Sequence, residues 1–228
     1  MSTPLPTPVS FKWLNMNLYL LASISAFSIV LPATMAVIRY RHIHQRYLPF
    51  LCILIIGFLN ESLSFILIRL YRTNLVNSNI YTLIEYLAYL WFFFRILQPT
   101  NHWIWGAGTL GILIWILDNG YWNSITTSNS IFRIFSSLVV IWLSIDKVTQ
   151  LTWNEAADRY KKTDLLLCFS LFAYFTFRGF IHVFKQFSFE HHVEFYIHLW
   201  SLLSVLNILV NCSFFIAIIW IPKSPTTR

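Results

Sequence analysis

Apolar residues gather into seven runs along this chain, each followed by a short polar segment. The runs cover Asn17–Ile38, Pro49–Ile68, Asn79–Leu97, Trp103–Leu117, Ile131–Val148, Leu165–Phe184 and Val193–Trp220. An α-helix rises about 1.5 Å per residue and needs about 20 residues to cross bilayer hydrocarbon. The pattern predicts an all-α, polytopic membrane bundle of seven transmembrane helices, with residues 1–228 as a single domain. Pro32 is placed to kink the first helix, Pro49 suits a first helical turn, and Pro222 stops the last. The fourth run is short, and Gly106, Gly108 and Gly111 lower its helix propensity. Those glycines would let a neighbour approach closely, as in a packed inner helix. The segment before the first run has no basic region or small-residue cleavage site, so that run is expected to be a retained helix.

Composition narrows the class. Hydrophobic residues make up 57% of the 228 and charged residues only 11%, against about 25% charged in soluble domains. That excludes disorder, a nucleic-acid-binding domain and almost any water-soluble enzyme. The formal charge of +7 is spread through short connections, as the positive-inside bias of membrane proteins requires. With the N-terminus outside and the C-terminus inside, ten of the 16 Lys and Arg residues fall on the cytoplasmic side. Trp103, Trp105, Trp122, Trp153, Trp200 and Trp220 lie near predicted helix ends, where an interfacial belt belongs. Cys52, Cys168 and Cys212 sit inside apolar runs without paired spacing, which argues against a disulfide or zinc-knuckle scaffold.

Ionisable groups inside a membrane cost several kcal/mol and face the bundle interior, so their depth is informative. Glu61, Glu85, Arg178 and His198 lie roughly 8–11 Å below the outer ends of four different helices at the α-helical rise. With Asn60 they predict a polar ligand-binding layer in the outer half of the bundle. The competing reading is a polar knot that only fixes helix packing. A second cluster, Glu190-His191-His192-Val193-Glu194-Phe195-Tyr196-Ile197-His198, opens the seventh run. Glu194 and His198 are four apart and share a helix face. With His191 and His182 they form a candidate metal set, and zinc is the cofactor such ligands suit. The alternative is a solvated, pH-sensitive loop mouth. Asn207 and Asn211 are expected to bond across helices.

His42 and His44, among Arg39, Arg41 and Arg46, are placed to meet anionic lipid headgroups. The Trp153–Lys162 segment reads as a short solvated helix and the one cytoplasmic surface able to engage a partner. The seventh run has no Lys, which excludes a retinal Schiff base there. No GxSxG or P-loop motif occurs.

Asn60-Glu61-Ser62-Leu63-Ser64, followed by Asn79-Ile80-Tyr81-Thr82-Leu83-Ile84-Glu85, resembles a family of bacterial seven-helix inner-membrane proteins with no assigned activity. The resemblance covers Leu59 to Leu97. It implies a multi-pass protein of the bacterial inner (cytoplasmic) membrane and singles out Glu61 and Glu85, but supplies no reaction. Ceramidases and progestin/adiponectin-type receptors also have seven helices, with a His/Asp/Ser zinc site. This chain lacks their His on the second helix and their HxxxH pair on the seventh.

Three functions fit these features. The first is a sensor or accessory subunit that binds a ligand in the polar layer and signals to a cytoplasmic or membrane partner. The second is a metal-dependent hydrolase acting on a lipid or other amphiphile. The third is a proton- or ion-coupled transporter or channel. In every case the surrounding partner is membrane lipid, and nucleic acid is excluded.

The Lys and Arg distribution makes a direct prediction about orientation. In a bacterial host, a fluorescent protein fused to the C-terminus is expected to fluoresce, whereas alkaline phosphatase at the same point stays inactive. Active phosphatase with a dark fluorescent fusion would invert the orientation.

Overall fold

The computed structural model describes residues 19–97, 103–153, 160–186 and 193–222. Among these residues the protein is all helical, without strands. Its helices are α1 (Tyr19–His42), α2 (Leu48–Tyr71), α3 (Leu75–Ile96), α4 (Trp103–Leu117), α5 (Ser130–Trp153), α6 (Lys161–Gln186) and α7 (Val193–Trp220). Four segments are long and apolar enough to cross a membrane: Tyr19–His42, Gln45–Tyr71, Lys161–Gln186 and Ile197–Trp220. α4 has only 15 residues. α3 and α5 carry polar and charged residues along their length, which lowers their hydropathy.

Consecutive helices pack side by side, α1 closes the ring against α7, and α3 also touches α5. The interruption in α1 falls at Ser28 and Ile29, one turn before Pro32. Proline at that position has no N–H for the Ser28 carbonyl, and its ring crowds that carbonyl. Ser28 Oγ instead donates to Ser25 O (2.6 Å) and accepts from Asn211 Nδ2 (2.7 Å), while Asn207 Nδ2 reaches Ser25 O and Oγ. Asn207 and Asn211 thus bond across helices as expected, and they do so where proline opens the α1 backbone. Arg39, at the other end of α1, donates to the carbonyls of Ile218, Ile219 and Ile221. Those orphan carbonyls terminate α7 just before Pro222.

α2 starts with Pro49 in its first turn and ends at Arg72, whose left-handed φ of 60° stops the helix. α3 begins at Leu75, a turn earlier than the apolar run. Its polar start is helical because α2 offers partners: Asn77 Nδ2 donates to Asn60 Oδ1 (2.9 Å) and Ser64 Oγ (3.1 Å). α6 also starts a turn early, which places Asp164 inside a helix and fully buried.

α4 departs from the packed inner helix expected of its glycines. Leu110, Leu113, Ile116 and Leu117 are exposed, and only Ile104 and Gly111 are buried. The close approach is local. A Cβ on Gly111 would lie 2.3 Å from the Tyr86 ring, while one on Gly106 would meet nothing within 4 Å. Tyr86 OH donates to Ala107 O (2.7 Å), fixing α4 to α3 by its one close face. The indoles of Trp103, Trp105, Trp122, Trp153, Trp200 and Trp220 are all exposed near helix ends, as a lipid–water belt requires.

Gly111→Ala is therefore expected to cost about 1–3 kcal/mol through overpacking against Tyr86. Gly106→Ala should be neutral or stabilising by up to about 1 kcal/mol. Thermal unfolding of the two variants in detergent checks this; equal shifts would contradict the packing.

Candidate functional site

A cavity of about 270 Å³ lies within the helix ring. Its polar walls follow from helix periodicity, since residues three or four apart share a face. α3 contributes Ser78, Thr82, Glu85 and Tyr89; α6 contributes Tyr174, Arg178 and His182; α2 contributes Asn60, Glu61 and Ser64. α5 adds Arg133, and α7 adds Asn207 and Asn211 beside the apolar Trp200, Leu203 and Phe214. α4 lines none of it.

The centre of the site is an ion pair. Arg178 Nη1 donates to Glu85 Oε2 at 2.6 Å, with both side chains only 10% exposed. The pair is a single N–H···O contact rather than a bidentate one. The guanidinium also lies over the rings of Phe175 and Tyr174, at 5.5 and 5.9 Å from their centroids, a cation–π arrangement. Tyr81 OH stands 3.5 Å from the other Glu85 oxygen.

Two further charges flank this pair. Glu61 makes no ion pair among the described residues. Arg133 donates to neutral oxygens: Asn129 Oδ1 (2.8 Å), Ser78 Oγ (2.8 Å) and Asn79 Oδ1 (3.3 Å). Asn79 in turn donates to the carbonyls of Ile125 and Thr127 and so ties the α4–α5 connection to the mouth of α3. His182 is 5% exposed, and its Nδ1 has no hydrogen-bond partner among the described residues.

The structure thus brings Asn60, Glu61, Glu85 and Arg178 to one cavity, together with His182 from the candidate metal set. His198 is exposed and does not line it. His191 lies outside the described residues, and so does the side chain of Glu194. Among the described residues, no group of three His, Cys, Asp or Glu side chains is placed to hold a metal ion. The solvated helix expected over Trp153–Lys162 falls largely on 154–159, also outside the described residues. Arg133 was not among the expected site residues; Asn129, four residues earlier, was the sequence signal that its head group has a partner at the cavity. For His182 the signal was the spacing of four from Tyr174 through Arg178.

An aromatic layer lies below the cavity. Phe50 packs on Phe214 (5.1 Å between centroids) and on Phe92 (5.7 Å), and all three are buried. Beneath it, at the α2 start, is a second polar cluster that the apolar pattern hid. Asp164 accepts from Arg46 Nη2 (2.5 Å) and Tyr47 OH (2.6 Å), with Lys147 Nζ 3.4 Å away. Arg46 also donates to Ile96 O and lies over the Tyr160 ring. Arg46 is therefore an internal tie rather than a free lipid-facing charge.

Compared with known proteins, the chain matches no family model, no curated protein and no solved structure. The bacterial-family resemblance accordingly rests on its two motifs alone.

Breaking a buried pair leaves one charge without its partner, at about 3–5 kcal/mol, whereas replacing both by neutral groups is far cheaper. Glu85→Gln and Arg178→Met are each expected to lower the unfolding midpoint strongly. The double variant should recover much of the loss. Additive losses in that double-mutant cycle would show that the two side chains do not act as a pair.

Proposed function

We propose that this chain is a multi-pass protein of the bacterial inner membrane. In this reading all seven helices cross the membrane, with the N-terminus outside, and the protein serves as a sensor or accessory subunit that binds a small polar ligand in the outer half. α3, α4 and α5 are then spans completed by packing: their polar residues face the ring and their apolar residues face lipid. The carrying observation is a polar cavity floored by a buried aromatic layer. Among the described residues His182 Nδ1, on the cavity wall, has no hydrogen-bond partner, and Glu61 makes no close ion pair. The Phe50, Phe92 and Phe214 rings separate it from the Asp164 cluster. That arrangement supports binding without passage. A bound ligand that favours one of two helix arrangements would shift their populations, and the cytoplasmic ends would report the shift to a partner.

The hydrolase and transporter readings make different demands. A zinc hydrolase needs a converging ligand set, and a transporter needs polar groups that continue past the aromatic layer. The test uses the full chain in detergent and in liposomes. A fractionated extract of small polar metabolites is expected to raise the unfolding midpoint of the wild type. The same fraction should fail on Glu61→Gln, which still inserts. Vesicle uptake of the stabilising fraction would replace this reading with transport, and stoichiometric zinc in the purified protein would replace it with metal chemistry.

A further inference from the structure

The charges around the cavity also indicate which kind of molecule it takes, an inference that rests on the binding role just proposed. The wall carries two carboxylates, Glu61 and Glu85, and two guanidiniums, Arg133 and Arg178. Formal charge therefore sums to zero, but the pairing is uneven. Glu85 and Arg178 neutralise each other. Among the described residues Glu61, on α2, makes no close ion pair, and Arg133, on α5, donates only to neutral oxygens. The two unpaired charges stand on different helices of one cavity wall, with the ion pair also facing the space.

Both groups are half-buried on the cavity wall, and a molecule filling the cavity would take the place of water around them. An ionised group removed from water is tolerable only when paired and hydrogen-bonded. A free anion would satisfy Arg133 and leave Glu61 without a cation, while a free cation would do the reverse. A divalent metal lacks a converging ligand set among the described residues. A molecule carrying one charge of each sign satisfies both at once. His182 adds an independent sign of a missing polar partner: it lines the cavity, is only 5% exposed, and its Nδ1 is unmatched among the described residues. Part of the remaining wall is apolar, with Ile53, Leu54, Leu203, Val210 and Phe214. It suits a modest hydrocarbon substituent, and a volume of about 270 Å³ suits a small metabolite rather than a lipid.

We propose that the cavity binds a small zwitterion of the α-amino-acid type. Arg133, supported by Arg178, holds its carboxylate; Glu61 holds its ammonium; the apolar wall receives its side chain. Charge-assisted hydrogen bonds of this kind are strong and selective.

The test measures unfolding midpoints of full-length protein in detergent with three probe sets: the proteinogenic amino acids, their amides without the carboxylate, and their N-acetyl forms without the ammonium. At least one apolar amino acid is expected to stabilise the wild type. Its amide and its N-acetyl form should each bind roughly 10- to 100-fold more weakly, the range for losing a hydrogen bond to a charged group. Glu61→Gln should narrow the gap between the amino acid and its N-acetyl form, and Arg133→Gln the gap between the amino acid and its amide. Because each comparison is made within one variant, a change in that variant's own stability does not enter. Equal binding of all three forms overturns the zwitterion assignment. So does stabilisation by the metabolite fractions but by no amino acid, and in that case the binding role itself survives. If neither the fractions nor the amino acids stabilise the protein, both fall.

Discussion

A charge held in the middle of an apolar bundle must find its opposite, and in this protein that requirement sets how the helices are turned. Arg178 on α6 and Glu85 on α3 meet at 2.6 Å, although these two helices do not pack closely along their backbones. Long side chains span the gap, joined by the edge-to-face contact of Tyr89 and Phe175. Once Glu85 points to Arg178, the rest of α3 is fixed by its own periodicity. Ser78, Asn79 and Thr82 face the interior, and Tyr86 presses against Gly111 of α4. Exposure to hydrocarbon would cost either charge several kcal/mol, so rotating α3 away is expensive.

Polar ties then recur where the backbone is weakest. At the Pro32 interruption, Asn207 and Asn211 supply the donors. At the end of α7, Arg39 covers the orphan carbonyls. At the start of α2, Arg46 and Lys147 converge on Asp164. That cluster carries two cations to one carboxylate, with Tyr47 OH as the other donor, and it joins α5, α6 and the turn before α2. Between it and the cavity the core is aromatic. The bundle is layered, with polar material above and below and a dry centre.

Much of this order was legible in the sequence. Helix positions followed from run length, and the meeting of Glu61, Glu85 and Arg178 followed from their common depth. What apolar runs do not encode is rotation. α7 is apolar on nearly every side, so depth alone could not say that His198 points out while Asn207 and Asn211 point in. Asp164 was hidden because charges beside a loop read as loop, although its partners Arg46 and Lys147 lie far away in sequence. α4 misled for a different reason: of its three glycines only Gly111 meets a neighbour, and that distinction depends on where Tyr86 stands.

The layer formed by Phe50, Phe92 and Phe214 has an electrical consequence. Voltage across a membrane falls over its least polarisable region, and moving one elementary charge through 100 mV is worth about 2.3 kcal/mol. Three buried rings in edge-on and tilted contact form a weakly polarisable layer, so with the bundle in a membrane most of the drop belongs across them rather than across the polar cavity. In the orientation proposed above, a molecule entering from outside would sit at nearly the outer potential. Its occupancy would then follow outside concentration and be little affected by the energised state of the cell.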